Sequence, residues 1–259
     1  MKRRSFIQAS LATLCSAAAA SSASAAERGE GPVYELRNYS PKAAKQAVLE
    51  AYLGQALVPA LARLGIGPVG VFLEKGKQTP PNVYVLIVHP SADSAASLPR
   101  RLAADQEYLK AGKEYLAVPP TEPVYSRIES SLLVPIEGMP RLEKPDTTRP
   151  RILNLRIYES HNERAARKKI EMFNKAEIAI FRRVGLTPVF FGETVVGPAM
   201  PNLTYMLVFP DDAEREAAWK RFGGDPEWQK LKAIPEYADK EIVSRITNKV
   251  LVPAAFSGI

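Results

Sequence analysis

The sequence predicts an α+β protein made of two tandem copies of one unit, and two observations predict it. The first is internal repetition. Asn82-Val83-Tyr84-Val85-Leu86-Ile87-Val88-His89-Pro90 returns 120 residues later as Asn202-Leu203-Thr204-Tyr205-Met206-Leu207-Val208-Phe209-Pro210. Leu36-Arg37-x-Tyr39 matches Leu155-Arg156-x-Tyr158, Gly65 matches Gly185, Arg100-Arg101 matches Lys220-Arg221, and Ser126-Arg127-Ile128 matches Ser244-Arg245-Ile246. The second observation is that hydrophobic periodicity switches between two and 3.6 in the same order within each copy.

Each copy opens on an alternating β-branched and aromatic run, Val33 to Tyr39 and Ile152 to Tyr158, which reads as a half-buried strand. A helical stripe follows, formed by Val48, Tyr52, Ala56, Ala60 and Leu64 in one copy and by Ala166, Ile170, Phe173, Ile180 and Val184 in the other. Pro59 should bend or weaken the first of these helices, while Gly65 and Gly185 close them as C-cap residues. Two strands come next, Val69 to Lys75 and Val83 to His89, matched by Val189 to Val196 and Leu203 to Phe209. A second helix starts near the capping residues Ser91 and Asp211 and leads into an Asp-x-Glu-aromatic segment. The last strand spans Pro123 to Val134 and Lys240 to Val252.

Strand, helix, strand, strand, helix, strand is the order of a ferredoxin-like unit. One such sheet leaves a face bare, and two can cover it mutually by packing sheet to sheet or by edge pairing into a barrel. The expected fold is therefore two tandem ferredoxin-like units closing into an intrachain dimeric α+β barrel. The units occupy residues 31–136 and 151–256, with a Pro- and charge-rich linker at 137–150.

The first residues speak to location. Arg3-Arg4-Ser5-Phe6-Ile7 is a twin-arginine pattern before an Ala-rich apolar stretch, and Ala23-Ser24-Ala25 is a small-x-small cleavage site. Residues 1–25 are expected to be an export signal cleaved after Ala25, giving a periplasmic or secreted protein. The stretch is too short and too Ser-rich to anchor stably in a membrane. Its removal takes Lys2, Arg3, Arg4 and the lone Cys15, leaving 32 basic and 28 acidic side chains and no cysteine. That excess forms no basic block, so nucleic acid is not expected as a partner, and thiol chemistry, disulfides and Cys-ligated metals are excluded. A small-molecule ligand and homo-oligomerisation are the associations left open.

The second copy carries Leu155-Arg156-Ile157-Tyr158, Gly185-Leu186, Asp225-Pro226-Glu227-Trp228-Gln229 and Leu251-Val252-Pro253-Ala254-Ala255-Phe256. In these runs it resembles NIPSNAP domains, within the wider dimeric α+β barrel group. The first copy is similar but departs, with Gln106 for the proline, Tyr108 for the tryptophan, and Leu133-Val134-Pro135-Ile136 at its end. The resemblance implies the barrel fold. It implies no fixed reaction, since barrel relatives range from cofactor-free monooxygenases to haem-degrading enzymes.

Candidate site residues come from comparing copies. In the first strands, Tyr34, Leu36 and Asn38 against Leu153, Leu155 and Ile157 form a mostly apolar row, expected to face the helices. Glu35, Arg37 and Tyr39 against Asn154, Arg156 and Tyr158 form a polar row, expected to face the barrel interior as a cavity lining. Arg127 and Arg245, in equivalent last strands, either join that lining or point to solvent. The plainer account, placed first, is that Arg37 and Arg156 pair with Glu35 or Glu129 and stitch the sheets together. The functional account is that Arg37, Tyr39, Arg156 and Tyr158 ring the pseudo-axis and hold an anionic aromatic ligand, with Arg156, opposite the neutral Asn154, the better anion partner. Tyr108 and Trp228 are expected to anchor by burial. No metal or cofactor is expected, because His89 and His161 are not equivalent in the repeat and no ligand spacing surrounds them. Catalytic residues are not assigned. The leading reading is an exported protein of unassigned activity that binds a small organic ligand or a partner through its barrel. The alternative is a cofactor-independent monooxygenase-like enzyme using Tyr39, Tyr158 or His89.

Overall fold

The computed structural model describes residues 31–259, and the export signal expected at 1–25 lies outside them. From Pro32 onward the chain is one unit whose eight strands form a closed barrel. The strands are β1 (Val33–Pro41), β2 (Val69–Glu74), β3 (Val83–His89), β4 (Tyr125–Pro135), β5 (Ile152–Glu159), β6 (Thr187–Val196), β7 (Asn202–Phe209) and β8 (Arg245–Pro253). Their order around the barrel is β1-β3-β2-β8-β5-β7-β6-β4, with β4 pairing back to β1.

Each repeat contributes four consecutive strands of the ring, and the repeats meet at two seams. At one seam β2 pairs with β8, Phe72 opposite Pro253 and Glu74 opposite Leu251. At the other β4 pairs with β6, Val134 opposite Glu193. Of the two routes open to the bare sheet faces, edge pairing is the one taken, and it leaves no strand edge unpaired. The ion pair between Lys249 and Glu74, 2.6 Å apart, ties the first seam.

The barrel interior is filled rather than open. Tyr34, Leu36, Phe72, Leu86, Leu133, Leu153, Leu155, Phe190, Met206 and Leu251 form one core drawn from both repeats, with Leu142 of the linker and the C-terminal Ile259 packed against it. Two further cores lie outside the barrel wall, one per repeat, between sheet and helices.

The long helix of each repeat contains a π turn at the same place. In the first repeat Gln46–Ala51 continues through the π segment Tyr52–Leu57 into Val58–Arg63. In the second, Glu163–Met172 continues through Phe173–Glu177 into Ile178–Val184. Val58 N–H reaches back to Leu53, so the chain passes Pro59 on a widened turn instead of breaking. The second repeat has Ala179 at that position and the same π turn, so the proline adapts to the turn and does not cause it. Gly65 and Gly185 cap these helices with φ of +68° and +87°, the left-handed region that glycine enters freely. Ser91 and Asp211 cap the second helices, accepting hydrogen bonds from the Ser94 and Glu214 amides.

One expected boundary fails. The last strand of the second repeat starts at Arg245, because Asp239–Ile242 forms a short helix. Ile242 is buried in the second repeat's core and its carbonyl accepts the Ser160 hydroxyl at 2.7 Å. These contacts hold the segment off the sheet. No helix among the described residues is long and apolar enough to cross a membrane.

Candidate functional site

The structure reverses the expected facing of the first strands. Tyr34, Leu36, Leu153 and Leu155 point into the barrel core, while Tyr39 and Tyr158 belong to the two helix–sheet cores. By strand alternation Arg37 and Arg156 share the side of those tyrosines. A closed barrel with helices outside covers both faces of these strands, so polarity alone does not mark the inner face. The lumen, packed from eight strands at once, takes the apolar row. The polar row lies under the helices, where Arg37 meets Glu35 and Arg156 meets Tyr158 and Trp219. Arg37 and Arg156 therefore lie in separate layers, one per repeat, and do not converge on the pseudo-axis.

In the first repeat Arg37 is neutralised by Glu35, one of the two partners the plainer account allowed, but both stand on β1, so the pair stitches no sheets together, and Arg156 meets neither acid. Its Nε and Nη2 donate to Glu35 at 2.6 and 3.0 Å. Ser130 donates to the same carboxylate at 2.9 Å, and His89 Nε2 lies 3.1 Å from it. The other nitrogen of His89 meets Ser94 Oγ at 3.4 Å, so this fully buried ring is held on both sides. Burial alone would raise the Glu35 carboxyl, but hydrogen bonds from His89 and Arg37, the Arg37 charge and Ser130 outweigh it and hold it down to about 2. Beside Arg37 a pocket of ≈ 310 Å³ opens between sheet and helices. Leu98, Leu102, Leu109 and Leu116 form apolar walls, and Tyr52 and Tyr108, whose hydroxyls lie 3.0 Å apart, add a polar corner. Tyr108 is buried, as expected of an anchor, and also lines this pocket. Burial pushes the Tyr39 phenol up.

In the second repeat the same layer is built differently. Arg156 Nη2 donates to Tyr158 Oη at 3.1 Å, and Tyr205 donates to that oxygen at 2.9 Å. The Trp219 ring lies 4.5 Å from the Arg156 guanidinium carbon, a cation–π contact, and its indole N–H donates to Asn154 at 3.0 Å. Trp219 occupies the position that Pro99 holds in the first repeat, by the register that matches Lys220-Arg221 to Arg100-Arg101. Where the small proline leaves a pocket beside Arg37, the indole covers Arg156. Arg156 Nε is shielded from solvent and meets no acceptor among the described residues.

Below this lies a pair of charges that the sequence reading missed. Lys169 and Glu177 are each 1% exposed, with Nζ and Oε2 3.3 Å apart. Lys169 Nζ also sits 5.1 Å from the Tyr158 ring and 5.0 Å from Phe173. Burial raises the Glu177 carboxyl to about 6, with the Lys169 and Arg156 charges offsetting part of the effect. A signal was available: these residues stand eight apart on the helical stripe, where the first repeat has Leu49 and Leu57, both fully buried.

Arg127 and Arg245 lie on the parity of Leu133 and Leu251, which faces the lumen, but at the open end of the barrel. There a recess of ≈ 220 Å³ is lined by both repeats, among them Asn38, Glu129, Glu159, Arg245 and Thr247. Arg245 leans toward Glu159 at 3.9 Å and Arg127 is exposed. A broad depression of ≈ 850 Å³ beside Asn162 and Pro235 is an open groove whose Lys168 and Glu236 pair with each other.

The sequence model of the NIPSNAP family matches residues 153–258. The chain carries a NIPSNAP domain. It is the second repeat, the copy with the buried Lys169–Glu177 pair. No curated protein matches the chain. Among solved structures, a candidate monooxygenase from Lactobacillus acidophilus has a TM-score of 0.58 at 12% identity, covering 86% of this chain and 94% of that one. A candidate monooxygenase from Fusobacterium nucleatum has a TM-score of 0.57 at 10% identity, covering 86% and 92%. Both likenesses show the eight-stranded α+β barrel over NIPSNAP domain and first repeat together. An uncharacterized NIPSNAP-like domain protein from Burkholderia xenovorans is 25% identical over 41% of this chain and 88% of its own, with a TM-score of 0.37.

Proposed function

We propose that the protein binds a small organic ligand with an aromatic body in the cleft between sheet and helices of its first repeat. The observation that carries this reading is the ≈ 310 Å³ pocket in which leucine walls meet Arg37 and the Tyr52–Tyr108 phenols. Its volume is at the lower end of small-molecule sites, about right for one or two fused rings. Because Glu35 already balances Arg37, the site suits an uncharged body with an acceptor oxygen better than a bare carboxylate. Binding through the barrel interior has no support, since that interior is packed.

The monooxygenase alternative draws on the two candidate monooxygenases that share the fold. It would need a group free to take a proton. His89 is held on both nitrogens, and burial makes the Tyr39 phenol harder to ionise. Less therefore supports it than supports binding. Export to the periplasm is part of the proposal and rests on the twin-arginine pattern. Replacing Arg3 and Arg4 with lysine should hold the precursor in the cytoplasm.

The binding reading is tested by a thermal-shift screen of phenols, aryl ketones and quinones on the mature protein. Pro99→Trp, which places the residue of the second repeat over Arg37, should abolish the shifts while leaving the unliganded melting temperature unchanged or higher. Hits that survive Pro99→Trp would place the ligand elsewhere and overturn the reading.

A further inference from the structure

The NIPSNAP domain buries charges that its sister repeat does without. Lys169, Glu177 and Tyr205 replace Leu49, Leu57 and Val85, and the apolar version of this layer folds around the same π turn. The fold does not require these groups, and burying them unsupported is unfavourable. Their geometry converges on Tyr158. The guanidinium carbon of Arg156 lies 5.3 Å from its ring centre and Lys169 Nζ 5.1 Å, while Tyr205 donates to its hydroxyl. Against these two cations stands one buried carboxylate, Glu177, which faces Lys169. Asp239 approaches Lys169 at 3.8 Å from the exposed rim. Arg156 is left with no carboxylate partner among the described residues and with a shielded, unbonded Nε. The Trp219 indole stacks over it, 4.5 Å from the guanidinium carbon.

We propose that the NIPSNAP domain contains a second, gated ligand site that takes a small aromatic monocarboxylate, with Arg156 as its counter-charge and Trp219 as the plug it displaces. The class of ligand follows from the cluster. One unmatched guanidinium calls for one negative charge, and its planar fork matches a carboxylate. An aromatic body replaces the indole against Phe181 and Phe222, whose rings lie 5.8 Å from that of Trp219. At the matching place in the first repeat the smaller Pro99 leaves a pocket of ≈ 310 Å³ beside Arg37, room for a ligand of this size. The site is independent of the one proposed in the first repeat, which lies in the other layer and contains no tryptophan.

Trp219 and Trp228 are the only tryptophans of the chain, and Trp228 also faces Lys169, at 5.9 Å. Intrinsic tryptophan emission therefore reports on this site, whatever the first repeat binds. Titration of the mature protein with phenylacetate should give a saturable emission change that benzyl alcohol does not give. Arg156→Gln should weaken phenylacetate binding at least ~10-fold, the loss of a charge-assisted hydrogen bond. Trp219→Ala, followed by calorimetry, should tighten it, because the indole no longer competes. Should Arg156→Gln fail to fold, Arg156→Lys retains the charge without the planar fork and should still weaken binding several-fold. No saturable change with phenylacetate, a response that survives loss of the guanidinium, or weaker binding in Trp219→Ala would each overturn the proposal.

Discussion

Replacing Lys169 and Glu177 together by leucine, the residues found at the matching positions of the first repeat, should stabilise the protein, and the gain should depend on pH. The Glu177 carboxyl is raised from 4.5 to about 6 in the folded protein, mainly by burial. A carboxyl raised on folding keeps its proton longer in the native state than in the unfolded one. Its contribution is most favourable below pH 4.5 and is lost as pH rises through 6. The difference of about 1.5 pH units corresponds to about 2 kcal/mol. Leucine has no such dependence, so the stability advantage of the double variant should grow by about 2 kcal/mol between pH 4.5 and pH 7.5. Its size at neutral pH should fall within the ~1–4 kcal/mol seen when buried ion pairs give way to packed apolar side chains. Glu177→Leu alone should instead destabilise by about 3–5 kcal/mol, because Lys169 is then buried without its counter-charge. Urea unfolding followed by circular dichroism across this pH range measures both variants. A pH-independent difference, or a double variant several kcal/mol less stable than the parent, would refute the view that these charges are carried at a cost to the fold.

Glu35→Gln should cost about 3–5 kcal/mol at neutral pH by leaving Arg37 without its carboxylate. Because the Glu35 carboxyl is held down to about 2, its stabilisation is complete above pH 4.5 and fades as pH falls toward 2, so the gap between parent and variant should close in acid; a gap that stays constant on urea titration would contradict the pairing. Gly185→Ala should cost about 1–2 kcal/mol, since φ of +87° is unfavourable for alanine and the added methyl would come 2.8 Å from the Arg221 side chain; an unchanged melting temperature would show that the cap is not strained.

The repeat made the barrel legible. Matching Asn82 to Pro90 with Asn202 to Pro210 aligns the β3 and β7 strands from sequence alone, and the helix ends at Gly65 and Gly185 follow from glycine at the C-cap. The facing of β1 and β5 was not legible. Leu36 and Leu155 look equally suited to a helix layer or a lumen, and only ring closure through the β2–β8 and β4–β6 seams shows that the lumen is the drier side. Arg37 meets Glu35, one of the two acids the sequence offered it, two residues away on the same strand. That Arg156 meets Trp219 depends on two segments more than sixty residues apart, which no local pattern connects. Lys169 and Glu177 stand as charges beside the buried stripe, but the apolar residues Ala166, Ile170 and Phe173 on the same turns carry the helical periodicity without them.

The placement of the first-repeat site is the claim on which the functional account depends, and amide chemical-shift mapping of a screening hit on the isotope-labelled protein tests it most directly. The account predicts that the largest shifts fall on Arg37, Tyr52, Leu98, Tyr108 and Leu116, around the pocket between sheet and helices. Shifts centred on Asn38, Glu129, Glu159 and Thr247, at the mouth of the barrel, would contradict it.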